Sequence, residues 1–207
     1  MANFTGTNGA DTFLGDGAND TAVGNKGDDT LSGGGGSDSL SGGGGNDVLD
    51  GGLANDTLSG GWGNDYIDGG NGNDVAYGGA GFDTINGGNG TDTLYGGNGA
   101  DLINGDDGSD FIYGGNGDDV INGGDGNDFI SGGRGDDTLS GGNGADIFRI
   151  ATTLGGTDTI TDFDVNQDTL QFDAAPLGIT YSFVGGNTEI SHGSDLIAIV
   201  QNVDLTA

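Results

Sequence analysis

The chain repeats itself every nine residues. Cut from Gly6, it gives 16 consecutive units that run through Arg149 with no insertion or deletion. The first position of every unit is Gly, the sixth is Asp and the eighth is apolar. A unit of nine residues cannot bury an apolar face alone, so the period predicts a solenoid in which each unit packs against its neighbours.

Within a unit, the residue order predicts one turn followed by one short strand. The Gly-rich first six residues can turn sharply because Gly adopts positive φ without a Cβ penalty. The last three residues form the strand, where alternation points the eighth residue inward and the seventh and ninth outward. The eighth positions are the predicted core: Phe13, Ala22, Leu31, Leu40, Leu49, Leu58, Ile67, Ala76, Ile85, Leu94, Ile103, Ile112, Ile121, Ile130, Leu139 and Phe148.

The invariant sixth position indicates a metal site. The chain has 33 acidic residues against three Lys and Arg, for a net charge of -30, and Glu189 is the only acidic residue that is not Asp. Short carboxylates among loop Gly residues are the ligands that a hard cation such as Ca²⁺ requires. The candidate metal ligands are Asp11, Asp20, Asp29, Asp38, Asp47, Asp56, Asp65, Asp74, Asp83, Asp92, Asp101, Asp110, Asp119, Asp128, Asp137 and Asp146.

The same composition excludes several other classes of protein. Nucleic acid and anionic membrane surfaces repel a chain of this charge and are not expected as partners. The chain has no Cys, which excludes a disulfide framework. No stretch approaches the eighteen apolar residues of a membrane span, and the first residues lack the basic and apolar regions of a cleavable signal.

The repeat, seen as Gly-Gly-Asn-Gly-Asp-Asp-Val-Ile-Asn at 114–122, resembles the Gly-Gly-x-Gly-x-Asp-x-apolar-x unit of the RTX (repeats-in-toxin, haemolysin-type calcium-binding) family. The resemblance implies an all-β fold over residues 6–149. This fold is a right-handed parallel β-roll, a β-helix or solenoid of eight coils with two units in each coil. It also implies that Asp residues eighteen positions apart share a Ca²⁺, with loop carbonyls as the other ligands.

Two columns of Asp follow from that coil, one on each edge of the roll. Eight loops in a column leave seven gaps, so the sixteen Asp residues would hold up to about 14 ions. Without a counterion, Asp residues stacked about 4.8 Å apart would repel one another. A metal that binds only the folded state adds its binding free energy to folding, so we expect the chain to be disordered without Ca²⁺ and ordered with it.

Departures from the repeat predict its weak points. Thr7 stands at the second position of the first unit, where a β-branched residue tolerates positive φ poorly, so the first coil is expected to be the weakest. Ala18 and Ala54 replace Gly at the fourth position. The sites that use Asp20 and Asp56 are therefore expected to bind calcium less tightly.

The repeats are flanked by segments of different composition. Residues 1–5 form a short lead-in. Residues 150–207 are rich in β-branched and aromatic residues and are expected to form a β-rich C-terminal cap over the open apolar end. Alternation predicts its strands at 157–163, 168–172, 179–184 and 196–200.

Part of this cap resembles a secretion segment. The stretch from Asp158 to Phe163, followed by Asp168, is similar to the segment after the repeats in RTX proteins that leave bacteria by type I secretion with an uncleaved C-terminal signal. Asp158, Asp162 and Asp168 could bind another ion, although alternation on a solvent-facing strand explains them more simply.

The expected function is that of a non-enzymatic, secreted or surface-located calcium-binding protein, which folds on Ca²⁺ after export and serves as a structural or surface module. No catalytic residue and no other cofactor is predicted. His192, with Ser191 and Asp195, lies in a turn without a nucleophile elbow, and zinc ligands are lacking. Only five residues precede Gly6, where RTX enzymes and toxins carry their active domain, so such activity is not expected.

Two alternatives remain open at this stage. The first is calcium-dependent binding of polysaccharide or a cell surface, as in adhesins, for which the single Trp62 at a third position could stack on a sugar ring. The second is ice binding, which in some RTX adhesins uses a ladder of Thr and Asx. No unit here has Thr at its third position, which disfavours ice binding.

Overall fold

The computed structural model of the protein describes residues 1–152, 155–173 and 178–206. Positions 153–154, 174–177 and 207 of the predicted cap lie outside the described residues. Over the described ranges the secondary structure consists of 22 β-strands without a helix, which confirms the all-β prediction. Accordingly, no helix in those ranges could cross a membrane.

Consecutive strands alternate between two sheets. The first sheet runs in the order β1 (Asn3–Thr5), β3 (Thr21–Lys26), β5 (Ser39–Gly44), β7 (Thr57–Trp62), β9 (Val75–Ala80), β11 (Thr93–Asn98), β13 (Phe111–Asn116), β15 (Phe129–Arg134), β17 (Ile147–Ile150) and β19 (Thr169–Phe172). The second runs in the order β2 (Thr12–Leu14), β4 (Thr30–Gly35), β6 (Val48–Leu53), β8 (Tyr66–Asn71), β10 (Thr84–Asn89), β12 (Leu102–Asp107), β14 (Val120–Asp125), β16 (Thr138–Asn143), β18 (Asp158–Ile160), β22 (Asp195–Val200), β21 (Asn187–His192) and β20 (Ile179–Val184).

The repeats form a parallel solenoid with eighteen residues in each coil. Leu94 pairs with Ile112 in the first sheet, and Ile85 pairs with Ile103 in the second. Two nonapeptides therefore close one coil, and the predicted parallel β-roll is confirmed. Crossovers between parallel strands are right-handed in nearly all proteins. The right hand of this roll stays a prediction.

The strands are longer than the repeat pattern predicts. β10 contains the last three residues of one unit and the first three of the next, and its ladder to β12 runs from Thr84 to Asn89, with Gly87 as the one residue without a partner. The expectation of a three-residue strand was therefore wrong. The ladder continues beyond the unit boundary, at Gly88 and Asn89, because parallel neighbours in register lie on both sides.

The core is a single file of apolar side chains between the two sheets. All sixteen eighth-position residues are buried and belong to one cluster, as predicted. Ala22 and Ala76 lie in this file with no exposure, so the first sheet contributes less apolar volume at those two coils.

The roll begins before the first complete repeat. Asn3–Thr5, which the period assigns to the lead-in, form β1 and pair in register with Thr21–Val23. The Phe4 ring stacks on Phe13 with 5.4 Å between ring centroids. Phe4 thus takes the place of an eighth-position residue at the N-terminal end.

The C-terminal segment continues both sheets. β18 pairs with β16 and β19 pairs with β17, after which β22 pairs in parallel with β18, and β21 and β20 follow as antiparallel neighbours. β21 was not predicted from the sequence. Its signal is the Gly185-Gly186 pair, whose φ angles of 62° and 97° form a two-residue hairpin turn after β20.

Candidate metal sites

The sixteen predicted ligands form the two expected columns. In each column the main-chain N–H of one Asp donates to Oδ1 of the Asp eighteen residues later. The fourteen N···Oδ1 distances lie between 2.6 and 2.9 Å. One carboxylate oxygen of each such pair is therefore fixed by the backbone.

The other oxygen of nearly every ligand is buried without a hydrogen-bond donor. Among the described residues, the one salt bridge joins the Met1 amino group to Asp20, so these oxygens have no basic partner either. A buried anion without a partner is costly, and a cation is the partner that fits an all-acceptor site. The unpartnered atoms are Oδ2 of Asp29, Asp38, Asp47, Asp56, Asp65, Asp74, Asp83, Asp92, Asp101, Asp110, Asp119, Asp128, Asp137 and Asp146.

The first coil differs from the others. Oδ2 of Asp11 accepts hydrogen bonds from the N–H and the hydroxyl of Thr7, at 2.6 and 3.0 Å. Oδ2 of Asp20 accepts the N–H of Asp16 at 3.1 Å. In these two residues Oδ2 is therefore hydrogen-bonded, whereas it is unpartnered in the other fourteen.

Burial raises the pKa of many of these carboxyls above the ordinary value of 3.8. The N–H bond from the preceding coil lowers the pKa, whereas neighbouring Asp residues of the same column raise it further. The pKa reaches about 7 for Asp56, Asp110 and Asp119. It reaches about 6 for Asp65, Asp83, Asp92 and Asp128.

The first Gly of each unit leaves room beside its Asp. These residues do not take positive φ, so their invariance has a steric cause. At Gly96, an added Cβ would lie 2.5 Å from Asp101 Oδ2 and 2.6 Å from the Gly114 carbonyl oxygen. A carboxylate oxygen and a carbonyl oxygen thus converge on a space that any side chain would fill.

The second and fourth positions need Gly for a different reason. From the third unit onward they combine positive φ with close contact to the carbonyl of the coil before, as at Gly115 (φ 119°) above Gly97. Thr7 and Ala18, in the first two units, do not take positive φ, so the strain expected at these two residues was wrong. Asn25 and Asp106 adopt φ of 80° and 68° at the second position, and Ala54 is held at 77° at the fourth. An Ala in this region is strained by about 1–2 kcal/mol. Weaker calcium binding at the Asp56 loop stays a prediction.

The donor set suits calcium. Over the ranges that the structure describes, no three acidic or His side chains converge on one point. An ion between two loops would therefore take its carboxylate oxygens from two Asp residues and the rest from main-chain carbonyls. Such a mixed set of six to eight oxygens is typical of Ca²⁺.

Two further Asp residues lie on the columns. Asp158 Oδ1 accepts the N–H of Asp137, and Asp168 Oδ1 accepts the N–H of Asp146, at 3.4 and 3.0 Å. Asp158 is only 2% exposed, so its interpretation as a solvent-facing residue was wrong. The sequence signal was the order Asp-Thr followed by Ile or Leu, which matches positions six to eight of the repeat.

His192 has a structural contact. Its Nδ1 lies 3.1 Å from the Thr152 carbonyl oxygen, whereas Asp195 Oδ1 accepts a hydrogen bond from Ser194. The His192 ring thus contacts the main chain through Nδ1.

Comparison with known proteins identifies the repeat. The model of the RTX calcium-binding nonapeptide repeat matches residues 5–40, 41–76, 68–103, 77–112, 95–130 and 113–148. Among solved structures, the extracellular lipase LipA from Serratia marcescens is similar at 18% identity and a TM-score of 0.33, over 77% of this chain and 38% of the lipase. The chain thus spans well under half of that lipase. The curated proteins contain no match.

Substitution of the first Gly of a unit is expected to remove calcium sites. In Gly33→Ala, the new Cβ would overlap the Asp38 carboxylate and lie 2.8 Å from the Gly51 carbonyl oxygen, whereas Gly35→Ala, on the same strand, meets nothing within 3.7 Å. We expect Gly33→Ala to bind fewer ions by native mass spectrometry and to lose about 1–3 kcal/mol of stability in calcium. Equal ion counts for the two variants would contradict the steric role of this Gly.

The raised pKa values predict that acid favours the calcium-free roll. A carboxyl whose pKa rises from 3.8 to about 6 or 7 on folding contributes stability below its unfolded pKa, and this is lost as the pH rises through the folded value. In calcium-stripped buffer, the β signal in circular dichroism should therefore be larger at pH 4.5 than at pH 8. With calcium present, protons compete with calcium for the carboxylate ligands, so the β signal should be larger at pH 8 than at pH 4.5. A calcium-free signal that grows with pH would contradict this sign.

Proposed function

The chain belongs to the family of RTX calcium-binding nonapeptide repeats, and we propose that its roll is a structural module that folds when Ca²⁺ binds between its coils. The main support is the set of fourteen buried Oδ2 atoms without a donor. Three Lys and Arg residues are too few to neutralise them. Divalent cations between the loops would do so and turn mutual repulsion into shared coordination.

Each ion would lie between two successive loops on one edge of the roll. The sixth-position Asp residues of both loops would supply carboxylate oxygens, and the loop carbonyls would complete the shell. The sixteen Asp residues define up to about 14 such gaps. The gaps that use Asp11 and Asp20 would be the weakest, because Oδ2 of each already accepts a hydrogen bond from its own loop.

Calcium binding would then be coupled to folding. Metal that binds the folded roll and not the unfolded chain stabilises the roll in proportion to its occupancy. Free calcium is scarce in the cytosol and abundant outside the cell, so such a chain would stay unfolded during passage through a narrow channel and fold on arrival. We therefore place it outside the cell after type I secretion from bacteria, as a non-enzymatic structural or surface module.

The decisive measurement is far-ultraviolet circular dichroism at neutral pH with and without calcium. Millimolar Ca²⁺ is expected to convert a disordered spectrum into a strong β spectrum. The same concentration of Mg²⁺ is the control, because Mg²⁺ demands tighter octahedral geometry and keeps its waters. A strong β spectrum in excess chelator would rule out calcium-driven folding.

A second function, calcium-dependent binding of polysaccharide or a cell surface, is favoured by one observation. The Trp62 indole is 79% exposed, and the register places Gly44 and then Lys26 beside it on successive strands. Because Gly44 has no side chain, the surface between the Trp62 indole and the Lys26 ammonium group is open. A sugar ring could stack on the indole while its hydroxyl or carboxylate groups face Lys26.

Glycan arrays in calcium would test this second function. Trp62→Ala is expected to abolish binding to any glycan that the wild type retains. Leu53→Ala is the matched control, because it removes an exposed apolar side chain from the same repeat position on the other sheet. Equal binding by Trp62→Ala and the wild type would exclude the indole as the sugar platform.

A further inference from the structure

The segment just beyond the repeats takes the place of another repeat. It reads Gly155-Gly-Thr-Asp-Thr-Ile-Thr161, and the family match ends before it, at residue 148. β18 pairs with β16 so that Thr159 lies opposite Thr138 and Ile160 opposite Leu139. Asp158 therefore stands at the sixth position, 21 residues after Asp137. This coil contains three additional residues, which interrupt the nine-residue period, so the period does not identify Asp158 as a sixth-position residue.

The loop before Asp158 makes the main-chain contacts of a repeat loop. Gly135 N–H donates to the Gly155 carbonyl oxygen at 2.6 Å, and Thr157 N–H donates to Asp136 Oδ1 at 2.8 Å. Gly156 takes a φ of 102° and lies so close over Gly135 that a Cβ there would overlap its carbonyl oxygen.

The same three features occur inside the repeats, one coil earlier. Gly117 N–H donates to the Arg134 carbonyl oxygen at 2.7 Å, and Asp136 N–H donates to Asp118 Oδ1 at 2.9 Å. Gly135 has a φ of 130° and packs in the same way over the Gly117 carbonyl. The loop at 155–158 thus reproduces the backbone that holds an Asp ligand in the roll.

The Asp137 and Asp158 side chains, where the last repeat loop on their edge of the roll meets the C-terminal segment, are buried as metal ligands of the roll are expected to be. Asp137 is 1% and Asp158 is 2% exposed, and Asp137 Oδ2 has no hydrogen-bond donor. Burial, followed by the neighbouring Asp137 carboxylate, raises the pKa of Asp158. Two carboxylates buried side by side require either a proton or a cation.

We propose, on the basis of the calcium-binding function proposed above, that Asp137 and Asp158 bind one further Ca²⁺ between the last repeat loop of this edge and the first loop of the C-terminal segment. β18 follows Asp158 directly and pairs with β22, on which β21 and β20 assemble. The ion would therefore tie the C-terminal strands to the roll, so that calcium folds both together.

Asp168, on the other edge, lacks the free ligand atom. Its Oδ2 accepts the Asp164 N–H at 2.7 Å, and its Oδ1 accepts the Asp146 N–H. Both oxygens are occupied, and the side chain is half-buried. The additional site is therefore assigned only to the edge of the roll that carries Asp158.

Ion counting by native mass spectrometry of the full chain in calcium tests the site. Asp158→Asn is expected to bind one calcium fewer than the wild type. Asp195→Asn makes the same change of charge at an exposed position of the C-terminal segment and should leave the count unchanged. Hydrogen exchange should be faster in β18 and β20–β22 of Asp158→Asn, with β4–β12 unaffected. An unchanged count together with unchanged exchange would overturn the site.

A second variant covers the case in which Asp158→Asn does not fold. Asp158→Glu keeps the carboxylate but moves its oxygens, and it is expected to raise the calcium concentration at which the C-terminal strands become protected by about tenfold or more. An unchanged calcium midpoint would overturn the site. If the wild type itself folds without calcium, the proposed function fails; if it folds on calcium and both variants behave like it, only the Asp158 site fails.

Discussion

Carboxylates stacked at the spacing of neighbouring β-strands are the constraint on which this molecule depends. Two unit charges about 4.8 Å apart repel by about 3 kcal/mol at an effective dielectric constant near 20. The parallel register repeats that contact along both edges of the roll and places nearly every sixth-position Asp side chain in the interior. Protons or cations must therefore accompany the folded state, and the first Gly of each unit keeps space free for them.

Much of the fold could be predicted, because the period fixes what every residue does. An apolar residue at each eighth position and an Asp at each sixth allow only a stacked coil with a central file and two acidic edges. The strand length could not be predicted, because Gly has no propensity for extended structure that a sequence would reveal. Pairing with neighbouring coils, which is a property of the assembled roll, extends each strand over the Gly residues.

The sequence predicts which residues form the candidate sites, but not at which coils the series of sites begins and ends. The sixth position identifies Asp11 and Asp20, yet their loops satisfy the oxygens that later coils leave free. At the other end, Asp158 occupies an equivalent place after an interruption of the period. Register is set by hydrogen bonding between coils, so an insertion in a loop shifts the numbering without moving the ligand.

The ladder of Asp residues also has a direction. The N–H of each coil is satisfied by the carboxylate of the coil that follows it in the chain, as Asp83 is by Asp101. The exposed fifth-position ladder runs the other way, from Asn46 N–H to Asp28, but water can replace those bonds and cannot replace buried ones. A roll that grows from its C-terminal end therefore satisfies the N–H of each new sixth-position Asp at once, whereas growth from the N-terminus leaves that N–H unsatisfied until the next coil is added. If the chain leaves the cell carboxyl terminus first, its coils become available in the same order in which they can add to the roll.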